Sequence, residues 1–225
     1  NLDKSHLDAL PGNLLSDSTT VAVLKPEQIS AFSTAQIAAL QSDSLQGFTP
    51  EIMARLSSGQ VGAISSAGIA AIPPKSLSNL TTKSFPGLTS AQMAALTTKQ
   101  LQALKLDHLG VLSSEQLAAL STEQLGQLSP AQILRLDSKT LLSLSTDKVP
   151  VLDTKVISKL PNGVFGALTS DQLKALTTAQ AAVLTAQQLN ALEPSKISAM
   201  DSEDIAALSK STISGLSKTS LEGLS

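Results

Sequence analysis

Few side chains here could do chemistry, and they are regularly spaced. The 225 residues include two histidines, His6 and His108, and no Cys, Trp or Tyr. An imidazole can serve as general base or metal ligand. Neither histidine has an H-x-x-x-H partner or a Cys to complete a metal set. Both stand at the same point of an eight-residue repeat, where Gln is the usual residue, so both read as hydrogen-bonding stand-ins for Gln. The carboxylates Asp43, Glu51, Asp107, Glu115, Glu123 and Asp171 also share one repeat position. No carboxylate pair is set up for acid–base work, because these residues recur once per repeat and read as helix-start charge. Asp201-Ser202-Glu203-Asp204 is the most acidic run but lacks the D-x-D-x-D-G calcium-loop pattern.

The hydroxyl pairs Ser33-Thr34, Thr81-Thr82, Thr97-Thr98, Ser121-Thr122 and Thr177-Thr178 suggest a row that could suit ice or carbohydrate. Helix capping already accounts for the first member of each pair. Asn79-Leu80-Thr81 fits the N-glycosylation pattern. Gly12, Gly59, Gly62, Gly68 and Gly163 form no phosphate loop, and no Ser–His–Asp set is in place. The expectation is therefore a protein that is not an enzyme, with no catalytic, cofactor-binding or metal-ligating residues.

Bulk composition narrows the classes further. The chain is 42% hydrophobic but 2% aromatic, and sixteen basic residues against eighteen acidic ones leave a net charge of −2. That balance argues against a nucleic-acid partner, which calls for a basic patch. No apolar run approaches eighteen residues, so no transmembrane segment is expected. Absence of Cys removes disulfides, thiolate catalysis and Cys-ligated zinc.

The elements that position these residues come from internal repetition. From Leu24 to Leu224 every eighth residue is large and apolar, at twenty-six of twenty-six positions. We number this position 0 and name each octad by it. Position 5 is apolar in all twenty-five octads, from Ile29 to Leu221, the weakest being Ala181. Position 7 is Ala or Gly in sixteen of twenty-five, position 1 is Ser, Thr or Asp in nineteen, and position 4 is Gln in eleven. Phe32, Phe48, Phe85 and Phe165 fall in the two apolar series, so they read as core.

Spacings of five and three are both odd, so a strand would put these residues on alternating faces. A continuous helix advances about 800° per octad and lets the stripe drift by about 80°. The helix must stop and restart in every octad. Ser or Thr at position 1 is an N-cap, Gln three residues later completes a capping box, and positions 0 and 5 form a hydrophobic staple. Pro26, Pro50, Pro74, Pro130 and Pro194 occupy the first helical position, where a missing N–H costs nothing. Acids outnumber Lys nine to five at position 3, as the positive end of a helix prefers. One octad cannot fold alone; it must bury Ala, Gln stems and backbone against its neighbours, as solenoid repeats do. The expected fold is all-α: a solenoid, or superhelical spiral, of very short capped helices of about 5–7 residues, one per octad.

Leu2–Leu10 is a good unit two residues out of frame with the rest. Residues 1–20 thus read as an out-of-frame repeat with an irregular connection, and residues 21–225 as a continuous array of about 25 octads. Phe85 onward resembles Phe165 onward, which hints at an eighty-residue higher-order repeat. The Leu144 to Leu160 octads are weak, with Pro150 and Pro161.

Units such as LTSAQMAAL (88–96), LSSEQLAAL (112–120) and LTSDQLKAL (168–176) resemble the octad-repeat arrays of very large proteobacterial secreted and surface proteins of the adhesin type. Shorter octad stretches in the mesothelin family of animal cell-surface proteins are similar, and those build superhelical ectodomains. The resemblance implies an extracellular or cell-surface structural module, a spacer, stalk or scaffold, and supplies no catalytic residues. It implies partners that are neighbouring repeats, further copies of the chain, or other surface proteins and host ligands reached through flanking regions. The array shows no polar terminal caps, so the chain is expected to be a segment of a longer one. A filament subunit and a protein-binding solenoid of a secreted effector are the alternatives. Arg55 and Arg135 are the only arginines and lie ten octads apart, which counts against a dedicated groove.

Overall fold

In a computed structural model, residues 24–224 are described; the out-of-frame unit with His6 lies outside them. Among the described residues every element is helical. The α-helices run four to six residues and start at position 2, as in Ser58–Ala63, Ser90–Ala95 and Thr98–Ala103. The register read from the caps is the register of the fold. Ser33, Ser57, Thr89, Thr97, Ser113, Ser121, Ser129, Thr169, Thr177 and Thr185 each accept from the backbone N–H three residues on.

Two extended residues turn the chain between helices. Ile64 ends one helix at φ −65°, ψ 136°, and Ser65 caps the next at φ −63°, ψ 154°. No described residue, glycine included, has positive φ. The corner therefore needs no left-handed residue, and small residues at its flank serve another purpose. A Cβ on Gly87 would run into the Ser58 carbonyl, and one on Gly166 would lie 2.5 Å from the Ala191 carbonyl oxygen. Glycine at these places lets the backbones of adjacent turns approach closely.

Proline explains the two departures from α geometry. Pro86 and Pro150 are the only prolines at position 6, and their octads form the 3₁₀ turns Phe85–Gly87 and Thr146–Val151. A proline there cannot donate to the carbonyl four residues back, so the turn tightens. The weak Leu144 octad thus keeps its place in the repeat.

The chain forms two compact units, one ending at Gln127 and the other running from Leu128. In the first, helix Pro26–Ser30 packs on Pro50–Met53, Thr34–Ala38 on Ser58–Ala63, and Ser42–Gln46 on Ser66–Ala71. In the second, Thr154–Lys159 packs on Thr178–Ala181, and Asn162–Gly166 on Ala186–Leu189. Every such partner lies three octads away, so a superhelical turn takes about 24 residues. Within each unit the position 0 and position 5 side chains build the core. Position 5 is buried in every octad from Ile29 to Ile197, and position 0 from Phe32 to Leu208. At roughly 1.5–3 kcal/mol per buried aliphatic side chain, these two series supply the main driving force.

Candidate functional site

The residues with chemical capability converge on one feature, a ladder of buried amides. Position 4 points inward, and Gln92, Gln100, Gln180 and Gln188 are each about 1% exposed. Each Gln works at two helix ends. Its Oε1 accepts the N–H of its own N-cap residue, Thr97 for Gln100, at 2.9 Å. Its Nε2 donates to carbonyls at the C-terminal end of a helix in the preceding turn. For Gln100 these are Ile69 and Ile72, both at 2.7 Å. Gln180 reaches Val149 at 2.9 Å and Leu152 at 2.7 Å, and Gln188 reaches Ile157 at 2.8 Å and Leu160 at 3.1 Å. Gln60, Gln92, Gln116, Gln124 and Gln172 also bond the carbonyl 28 residues back. A primary amide has two donors and an acceptor, and this geometry uses all three, so burying it leaves nothing unpaired. Sequence reasoning identified the capping half of this role and missed the bridging half.

Other residues occupy the slot with the same logic. The Thr212 hydroxyl donates to Leu184 at 2.8 Å, and Lys196 Nζ donates to Gly166 at 2.9 Å. His108, 2% exposed, takes the Lys105 N–H on Nδ1 at 3.3 Å and lies 2.8 Å from the Leu80 carbonyl through Nε2. Those bonds fit the neutral ring with its proton on Nε2. The ring stacks on Phe85 at 4.7 Å. Burial pulls its pKa below the ordinary imidazole value, and the Leu80 carbonyl opposes that only in part. His108 is thus a stand-in for Gln, as its repeat position implies. Val156, Val164, Ile52 and Gly68 sit in the slot without a side-chain donor.

The remaining candidates stay apart. Asp43, Glu51, Asp107, Glu115, Glu123 and Asp171 are all exposed. Glu51 is held below the usual carboxylate range by its own backbone N–H, by the Thr49 hydroxyl and by Lys75. Asp137 is lowered by the Thr140 N–H it caps, at 2.7 Å. Among the described residues no three His, Asp or Glu side chains come together as a metal site. The Ser-Thr pairs form no single row: the Phe32 and Leu80 octads stand two turns apart on one face of the first unit. The Leu96 and Leu120 octads stand on another. Arg55 is paired with Glu27 at 2.8 Å. Asn79 donates through Nδ2 to the Lys75 carbonyl at 2.8 Å and accepts from Lys105 at 3.4 Å, so the sequon amide is already bonded.

No protein-family model and no curated protein matches this chain. Among the described residues no helix is long and apolar enough to cross a membrane. In the second unit a small cavity is lined by Leu144, Leu152, Leu160, Val164 and Leu168 with Gln172 as its polar member. An apolar space of that kind stays dry and offers no group for catalysis.

Proposed function

We propose that this chain is a non-enzymatic, extracellular structural repeat module: a spacer, stalk or scaffold segment of a surface protein of the adhesin type. One observation carries the reading. The buried polar side chains of the array join one turn to the next, and among the described residues no buried side-chain nitrogen or oxygen lacks a hydrogen-bond partner. An active site keeps buried groups in reserve for substrate; this array commits them to its own backbone. Such a module transmits position, and recognition belongs to exposed surface or to flanking regions.

Small-angle X-ray scattering over a dilution series tests this. A spacer gives a radius of gyration above the value of about 17 Å for a 225-residue globule, unchanged on dilution. A value near 17 Å removes the spacer reading.

A further inference from the structure

One polar residue of the ladder is of the wrong chemical type. Asp204 holds position 4 in the Met200 octad, on helix Ser202–Ala206, and is 4% exposed. In neighbouring octads this slot places a donor on the carbonyl 28 residues back: Gln172 on Leu144, Gln180 on Leu152, Gln188 on Leu160, Thr212 on Leu184. For Asp204 the corresponding carbonyl is that of Leu176, and among the described residues no hydrogen bond reaches it. A carboxylate only accepts, as a carbonyl does. Ionised, Asp204 cannot make the ladder bond; protonated, it carries one O–H that can.

The surroundings favour the proton. Helix Thr178–Ala181 packs against Asp204's helix. It brings no charged group, only the Thr178 hydroxyl that hydrogen-bonds the carboxyl. Asp204's own turn adds two further carboxylates, Asp201 and Glu203. The neighbouring octads in sequence contribute Glu193, Lys196 and Lys210; none of these figures among the groups that shift it. Burial first, then repulsion from Asp201 and Glu203, raises the pKa of Asp204 above the ordinary carboxyl value, while Thr178 opposes this.

We propose that Asp204 is a proton-operated latch: with the proton on, its carboxyl donates to the Leu176 carbonyl as a glutamine amide would and fastens the Met200 octad to the turn beneath it; with the proton off, that bond is missing. The folded group holds its proton more tightly than the unfolded one. Its contribution to stability is therefore fully present below the unfolded carboxyl pKa, and is lost as pH rises through the folded value. This turn should tighten in acid, opposite to the usual response of a helix-start acid.

The test is hydrogen exchange of the whole chain between pH 4 and pH 7, expressed as protection factors for residues 200–208. The wild type should show higher protection factors at pH 4 than at pH 7. Asp204→Asn, a donor at every pH, should be well protected throughout, and Glu203→Gln should keep the acid response. Equal protection of the wild type at both pH values overturns the proposal, as does an unchanged response in Asp204→Asn. Should that variant fail to fold, ¹³C titration of the Asp204 carboxyl in the wild type decides. A midpoint above about 3.9, the unperturbed value, supports the latch, and one at or below it overturns it.

Discussion

Replacing Gln100 by Glu isolates the bridging half of the ladder. The two side chains have the same shape, and Glu keeps an oxygen to accept the Thr97 N–H. It loses both donors, and with them the bonds to Ile69 and Ile72, each 2.7 Å long. Two hydrogen bonds at about 1 kcal/mol each come to about 2 kcal/mol. Gln100 is 1% exposed, so the new carboxylate is also buried against two carbonyl oxygens, at a further cost of about 1–3 kcal/mol. The expected loss at pH 7 is about 3–5 kcal/mol. It should shrink at pH 4, where the protonated carboxyl donates once. Gln100→Ala removes three bonds but adds no charge, so it should cost about 3 kcal/mol at both pH values. Thr97→Ala, which removes only the cap, should cost about 1 kcal/mol. Urea unfolding followed by circular dichroism at the two pH values measures all three variants. If Gln100→Glu lies within 1 kcal/mol of the wild type at pH 7, the ladder bonds do not hold the turns together. The same conclusion follows if Gln100→Ala costs no more than Thr97→Ala.

Replacing the caps Thr89, Thr97 and Ser113 together by Ala should lower stability by about 3 kcal/mol, at about 1 kcal/mol per cap, read as a shift in the urea midpoint. Gly87→Ala should cost about 1–3 kcal/mol, because its Cβ meets the Ser58 backbone. Gly163→Ala, in a helix with nothing within 4 Å of the new Cβ, should instead add about 0.5–1 kcal/mol; thermal melts compare the two. His108, whose pKa is lowered mainly by burial, takes up its proton more readily unfolded than folded. The first unit should therefore lose stability as pH falls below about 6.5, the unfolded value. His108→Gln should remove that dependence, and a variant that retains it would place the effect elsewhere.

The capped octad was legible because its signals are local. N-cap, capping box, staple and position 2 proline all act within five residues, so a single octad displays them. The bridging bonds span 28 and 31 residues, and their partners follow from the number of octads per turn. A 24-residue period was present in the sequence: Pro26, Pro50 and Pro74 are 24 apart and lie on helices in successive turns of one face. Octads before and after them without proline obscured it. The exposed carboxylates were legible as helix-start charges for the same local reason. Asp204 was not separable from Asp201 and Glu203 by residue type; its burial depends on slot position, which the acidic run conceals. The two 3₁₀ turns were readable in principle, since Pro86 and Pro150 share a position that no other proline occupies.

Hydrophobic burial drives this fold, but the backbone decides its sequence. The first four N–H and last four C=O groups of any helix lack intrahelical partners. A helix of four to six residues consists almost entirely of such ends. Stacked turns bury those groups, and each left unpaired costs about 1–3 kcal/mol. Local bonds meet part of the need: Met93 donates to Thr89 at 2.9 Å, and Leu96 to Met93 at 3.2 Å. What is left is an N–H at the start of one octad and a pair of carbonyls at the end of another, one turn below. Glutamine carries an acceptor and two donors on a stem long enough to reach both. Leucine at position 4 would bury well and leave three groups unpaired. Where the slot does turn apolar, as at Val164, the side chain faces the cavity in the second unit. At that octad packing and hydrogen bonding weaken together, so a buried helix end gains more from glutamine at position 4 than from further leucine.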